Sequence, residues 1–141
     1  PHIVPDIPAL KKDPVVAYMP DLFTRPTPLQ PDIIIDITEQ METIVKMLAC
    51  HHSQVFEWLA YHEGLLETVP PDATGRLTWL RSWYSQVIRP RAEHFRNEIL
   101  AAYDTEQSQS IEFIEAFEIS GYAHRPDSDL RDQLFPESRS P

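Results

Sequence analysis

The run Pro31-Asp32-Ile33-Ile34-Ile35-Asp36-Ile37 constrains the fold of this 141-residue chain more than any other. Apolar residues stand side by side there instead of alternating with polar ones, so a strand over 32–37 has to be buried on both faces, as in layered α/β sheets. Asp36-Ile37-Thr38-Glu39 then has the spacing of a capping box, which places a helix start at that point. Ile37, Met41, Ile44, Val45 and Leu48 recur at helical spacing, with Glu39, Glu42 and Lys46 off the stripe. A helix that packs on the sheet and ends in His51-His52-Ser53-Gln54 is therefore expected.

Eight of the 14 prolines fall within residues 1–31, where they fix φ and remove backbone donors, so this stretch reads as extended. Within it, Val15-Val16-Ala17-Tyr18-Met19 is β-branched and aromatic and is the expected sheet partner of 32–37. Downstream, Ser53 is placed to cap a second helix that carries Val55, Phe56, Trp58 and Leu59 and stops at Gly64, making 32–64 a strand and helical hairpin. Turn residues at 70–75 precede a long amphipathic helix over 76–103, with Leu77, Leu80, Tyr84, Val87, Ile88, Phe95 and Ile99 as its stripe and a kink at Pro90. Residues 104–110 read as a polar loop. Ile111 to Ile119 fits strand or helix by pattern and is taken as a short strand, and Pro126 to Phe135 as a capped short helix, so 111–136 is strand and C-terminal helix. Taken together this is one partial α/β domain with two or so strands and several helices.

Twelve Lys and Arg against 22 Asp and Glu give a formal charge of -10, which repels a phosphate backbone, so nucleic acid is not an expected partner. No apolar run approaches the roughly 20 residues that span a bilayer, and no signal-peptide core precedes the proline-rich start, so a cytoplasmic location is expected. The single cysteine, Cys50, leaves no internal disulfide and is expected to be a buried, unreactive thiol. The chain starts at Pro1 without an initiator Met, which points to a processed product or a piece of a longer protein.

Six histidines invite a metal reading that their spacing opposes. His51 and His52 are neighbours whose side chains diverge by about 100° on a helix. Neither has a His or Cys at i+4, and His62-Glu63 lacks a His-Glu-x-x-His partner. His2, His94 and His124 stand in segments without ligand spacing. Trp58, Trp79 and Trp83 at helical positions read as core or interface aromatics rather than a stacking platform. Glu112, Glu115 and Glu118 recur every three residues, which by itself makes no acid and base pair. Gly64, Gly75 and Gly121 are too far apart for a phosphate loop, and no Gly-x-Ser-x-Gly elbow occurs. The residues alone identify no catalytic centre and no complete metal site.

The order of the segments is nonetheless specific. Pro8 to Val15, Tyr18-Met19-Pro20-Asp21 and Pro31 to Ile37 come first. His51-His52-Ser53-Gln54, Ile114-Glu115-Ala116-Phe117-Glu118 and Leu134-Phe135-Pro136 follow. This order resembles the C-terminal part of the PIG-L or LmbE-like zinc-dependent N-deacetylases, with His51 to Gln54 similar to the family's His-x-Ser-Gln motif and Glu115 to Phe117 similar to its Glu-Ala-Phe segment. The family's His-Pro-Asp-Asp-Glu signature, which supplies two zinc ligands and the catalytic aspartate, is absent from this sequence. The resemblance implies a Rossmann-like layered sheet that is incomplete without N-terminal strands. It also implies zinc held by the full-length protein and not by this chain alone, an N-acetylglucosamine-type substrate, the missing N-terminal half as partner, and a homo-oligomer.

On that reading His51, Ser53, Gln54 and Glu115 are the candidate substrate-binding residues. On the structural one, Ser53 caps the second helix, His51 and Gln54 bond nearby backbone, and Glu115 faces solvent; the sequence leaves both open. The alternative function is an acidic helical module, without catalysis, that binds another protein through its apolar stripes and Trp surface.

Overall fold

The computed structural model describes residues 6–8, 11–136, 138 and 141, so His2, Ala9 and Leu10, on which parts of the sequence reading fall, lie outside the described residues. Among the described residues the chain is a mixed α/β unit with a three-stranded antiparallel sheet and six α-helices. The strands are β1 (Ala17–Tyr18), β2 (Ile33–Asp36) and β3 (Ile114–Ile119), in the spatial order β1-β3-β2.

The pairing corrects the expectation that β1 joins β2. β3 is the central strand, with Ala17 opposite Ile119 on one side and Ile33, Ile34, Ile35 and Asp36 opposite Phe117, Ala116, Glu115 and Ile114 on the other. The reason is length: a two-residue strand between prolines cannot shield an isoleucine run, whereas Ile114–Ile119 can pair along all of it. Successive residues point to opposite faces, and Ile33 and Ile34 are both fully buried, so both faces are shielded at that point.

The helix after β2 is shorter than the capping-box reading implies. α1 is Met41–Ala49, and Asp36, still in the strand, accepts from the Thr38 N–H at 2.9 Å to turn the chain instead of capping it. Ser53–Leu59 forms a π-helical turn that continues into α2 (Ala60–His62), and Gly64 ends the segment with φ +71°, the stop expected there. A 3₁₀ turn, Leu66–Thr68, leads to α3 (Ala73–His94), whose start is fixed by Asp72 accepting from Gly75 N at 2.8 Å.

α3 passes through Pro90 and breaks at Phe95, beyond which α4 (Arg96–Ala102) begins, so the break is not at the proline. Phe95 is buried against Ile34, Ala92, Ile99, Ile111, Ile114 and Ala116, and this cluster turns the chain. Residues 105–110, expected as a loop, form α5 (Thr105–Ser110), because Asp104 caps it by accepting from Gln107 N at 2.9 Å. α6 (Ser128–Leu134) is capped in the same way by Asp127.

Two further apolar clusters hold the helices together, the first of them also reaching Ile35 of the sheet. One joins Ile37, Met41, Ile88 and Phe113, and the other joins Val45, Val55, Phe56 and Leu80, so α1 runs back along α3 from its Ile88 end towards its N-terminus. Three expected core residues are outside: Trp58 and Val87 are about half exposed and Cys50 is exposed, because each lies on the outer side of a helix whose inner side is filled by the residues just named.

Candidate functional site

Cys50, the C-cap of α1, keeps helical backbone, so His51 and His52 lead into the π-helical turn without a clean break. A π-turn holds an extra residue per turn, and such turns are frequent at functional sites. Val55 and Phe56 anchor this one by burying against Val45 and Leu80, which leaves His51, Ser53 and Gln54 facing outward. Their side chains make no hydrogen bond to the described residues. Ser53 therefore does not cap a helix; it sits inside a turn whose preceding residue, His52, is already helical, and no side-chain cap bond forms. The three polar side chains remain available to a ligand.

His52, by contrast, is held firmly. Its Nε2 lies 2.6 Å from Arg76 Nη1, and its Nδ1 lies 3.2 Å from Glu57 Oε1. A guanidinium can only donate, so Nε2 must accept and the proton stands on Nδ1, facing the carboxylate. Arg76 also donates from Nε to the Pro70 carbonyl at 2.9 Å and lies over the Phe56 ring at 5.6 Å. The first turn of α3 thus clamps the π-turn from behind. Gly75 lets residues 70–72 fold back on that first turn, since a Cβ there would fall 2.7 Å from Pro70 Cβ and 2.8 Å from Asp72 Oδ2.

Glu115 is elsewhere. It stands on β3 opposite Ile35, and its Oε1 accepts from Arg91 Nη1 at 2.8 Å. The side chain is 20% exposed, which overturns the expectation that it faces solvent. Oε2 is buried and accepts no hydrogen bond among the described residues. Burial pushes the Glu115 carboxyl above the usual carboxylate range, against the opposing pull of Arg91. Burial likewise raises the Tyr84 phenol, with Arg91 opposing and Glu115 reinforcing. Arg91 and Arg76 lie on one helix about 22 Å apart at 1.5 Å per residue. Through them, Glu115 and the His51–Gln54 strip attach to opposite ends of α3, so the structure brings together three of the four candidate residues and separates the fourth.

Sequence reading does not single out Arg76 or Arg91, and it takes Tyr84 only as part of an apolar stripe. The two arginines lie 24 residues from their partners, and no local pattern signals such a pairing. A cleft of about 420 Å³ at the end of β2, lined by Asp36, Glu39, Gln40, Tyr103 and Gln107 among others, includes none of the candidate residues.

Among the described residues no group of three or more His, Cys, Asp or Glu is placed to hold a metal ion. No helix among them is long and apolar enough to cross a membrane. Comparison with protein-family models, curated proteins and solved structures finds no match to the chain.

Proposed function

We propose that this chain is the C-terminal part of a PIG-L or LmbE-like zinc-dependent N-deacetylase and supplies part of the substrate wall of its active site. The observation that carries the reading is the exposed polar strip His51, Ser53 and Gln54. It stands on an anchored π-turn, and its side chains have no partner among the described residues. An imidazole, a hydroxyl and a carboxamide together offer donors and acceptors for the amide and hydroxyls of an N-acetylated sugar. The zinc belongs to the part of the protein that bears His-Pro-Asp-Asp-Glu, and no chemical step falls to the residues of this chain. Glu115 acts at a distance, fixing α3 on β3 through Arg91.

In this reading the three-stranded sheet is the border of a larger, Rossmann-like layered sheet. The exposed apolar residues around β1, namely Val16, Tyr18, Met19, Leu22 and Phe23, support a face that other sheet strands cover. The same patch supports the alternative, an acidic module that binds another protein through it. The two readings separate on the intact protein containing this chain. Stoichiometric zinc and release of acetate from N-acetylglucosamine-type sugars are expected of the deacetylase, while a folded intact protein with neither property contradicts it.

A further inference from the structure

The tryptophans of the π-turn and of α3 divide into two kinds. Trp79 and Trp83 stack on each other at 6.0 Å and 5°, and their indole N–H groups are used, donating to Thr68 Oγ1 at 2.9 Å and Glu63 Oε2 at 2.7 Å. Trp58 is 55% exposed, and its indole N–H has no partner among the described residues. Its ring lies 5.8 Å from that of His62 at an interplanar angle of 14°, so the imidazole backs the indole and sets its plane. Gln54, Trp58 and His62 follow one another at intervals of four residues, which on a helical segment places them along one side. The aromatic surface therefore continues the polar strip at Gln54.

We propose that Trp58, backed by His62 and flanked by Gln54, is a stacking subsite for the pyranose ring of the N-acetylated sugar; this rests on the deacetylase reading above. The face of a pyranose that carries axial C–H groups is apolar and packs on an indole, while its hydroxyls stay at the rim and need donors and acceptors. The Gln54 carboxamide offers both. An aromatic body with a free polar tip is the side chain suited to such a half-wet contact. Nucleobases also stack on exposed aromatics, but they bring phosphates towards a chain of formal charge -10. A neutral sugar meets no such barrier.

The test is a titration of the intact, ¹⁵N-labelled protein with the methyl glycoside of N-acetyl-β-glucosamine, following indole N–H resonances and released acetate in the same tube. Trp58→Phe identifies the Trp58 resonance by its loss. A saturable shift of that resonance, with those of Trp79 and Trp83 unmoved, is expected, together with at least tenfold weaker sugar binding in Trp58→Ala and partial recovery in Trp58→Phe. A Trp58 resonance that stays in place up to millimolar sugar overturns the subsite, as does Trp58→Ala binding that equals the parent's. Acetate reports separately: release with Trp58 unmoved removes the subsite and leaves the deacetylase, whereas a Trp58 shift without acetate leaves a sugar site and removes the deacetylase.

Discussion

Arg91 reaches Glu115 across the α3–β3 interface at 2.8 Å, yet among the described residues only one of the two carboxylate oxygens is satisfied. The charged form of Glu115 is thus partly paired and partly stranded, and burial raises its proton affinity above that of an unfolded carboxyl. A group that binds its proton more tightly when folded contributes more stability at low pH. That contribution falls as pH rises from the ordinary carboxylate value through the raised one. Replacing it as Glu115→Gln removes this slope. The stability difference between variant and parent, followed by urea unfolding from about pH 4 to about pH 7, should shift in favour of the variant as pH rises. A difference independent of pH would contradict the burial assigned to Glu115.

The outer edge of β2 is closed by one hydroxyl. Tyr103 Oη accepts from Asp36 N at 3.0 Å and donates to the Ile34 carbonyl at 3.3 Å. Tyr103→Phe keeps the ring and strands both backbone groups, so a loss of about 1–3 kcal/mol is expected. Amide exchange at Asp36 should accelerate with it. Unchanged exchange would show that the edge is covered in another way.

The two kinds of apolar position on the helices and strands differ sharply. Ile34→Ala empties a fully buried site among Phe95, Ile99 and Ile114 and should cost about 2–5 kcal/mol. Val87→Ala, at a half-exposed position, should stay within about 0.5 kcal/mol of the parent. Denaturant midpoints of the two variants check the placement of the core, and equal effects would contradict it.

The fate of Val87 shows where the sequence is legible. Leu80, Ile88 and Ile99 repeat at helical spacing and are buried, so the pattern locates α3 and α4. Val87 belongs to the same apolar pattern, but which side of the helix meets the sheet depends on Phe113 and Ile37, neither of which is local. The isoleucine run likewise announces a doubly covered strand, while its partner, 80 residues on, is not written in it. Asp72, Asp104 and Asp127 all cap helices, yet Asp104 stands in a segment polar enough to read as loop. For the candidate site, the exposed His51–Gln54 strip follows from its polar composition. The π-helical turn that carries it, and the wide separation of Glu115, follow from packing on α3.

His52 provides a check on the clamp behind that strip. In the neutral ring the proton should stand on Nδ1, as the donors of Arg76 and the carboxylate of Glu57 require. Long-range ¹H–¹⁵N correlation should show this tautomer in the parent and a mixture in Arg76→Ala. The Nε2–H form in the parent would contradict the contact.

The most direct measurement is kcat/KM for acetate release from an N-acetylglucosamine glycoside by the intact, zinc-loaded protein, compared with its Gln54→Ala variant. The account predicts activity in the parent and a loss of about tenfold or more in the variant, the equivalent of one hydrogen bond in substrate recognition. A folded, zinc-loaded parent that releases no acetate would contradict it.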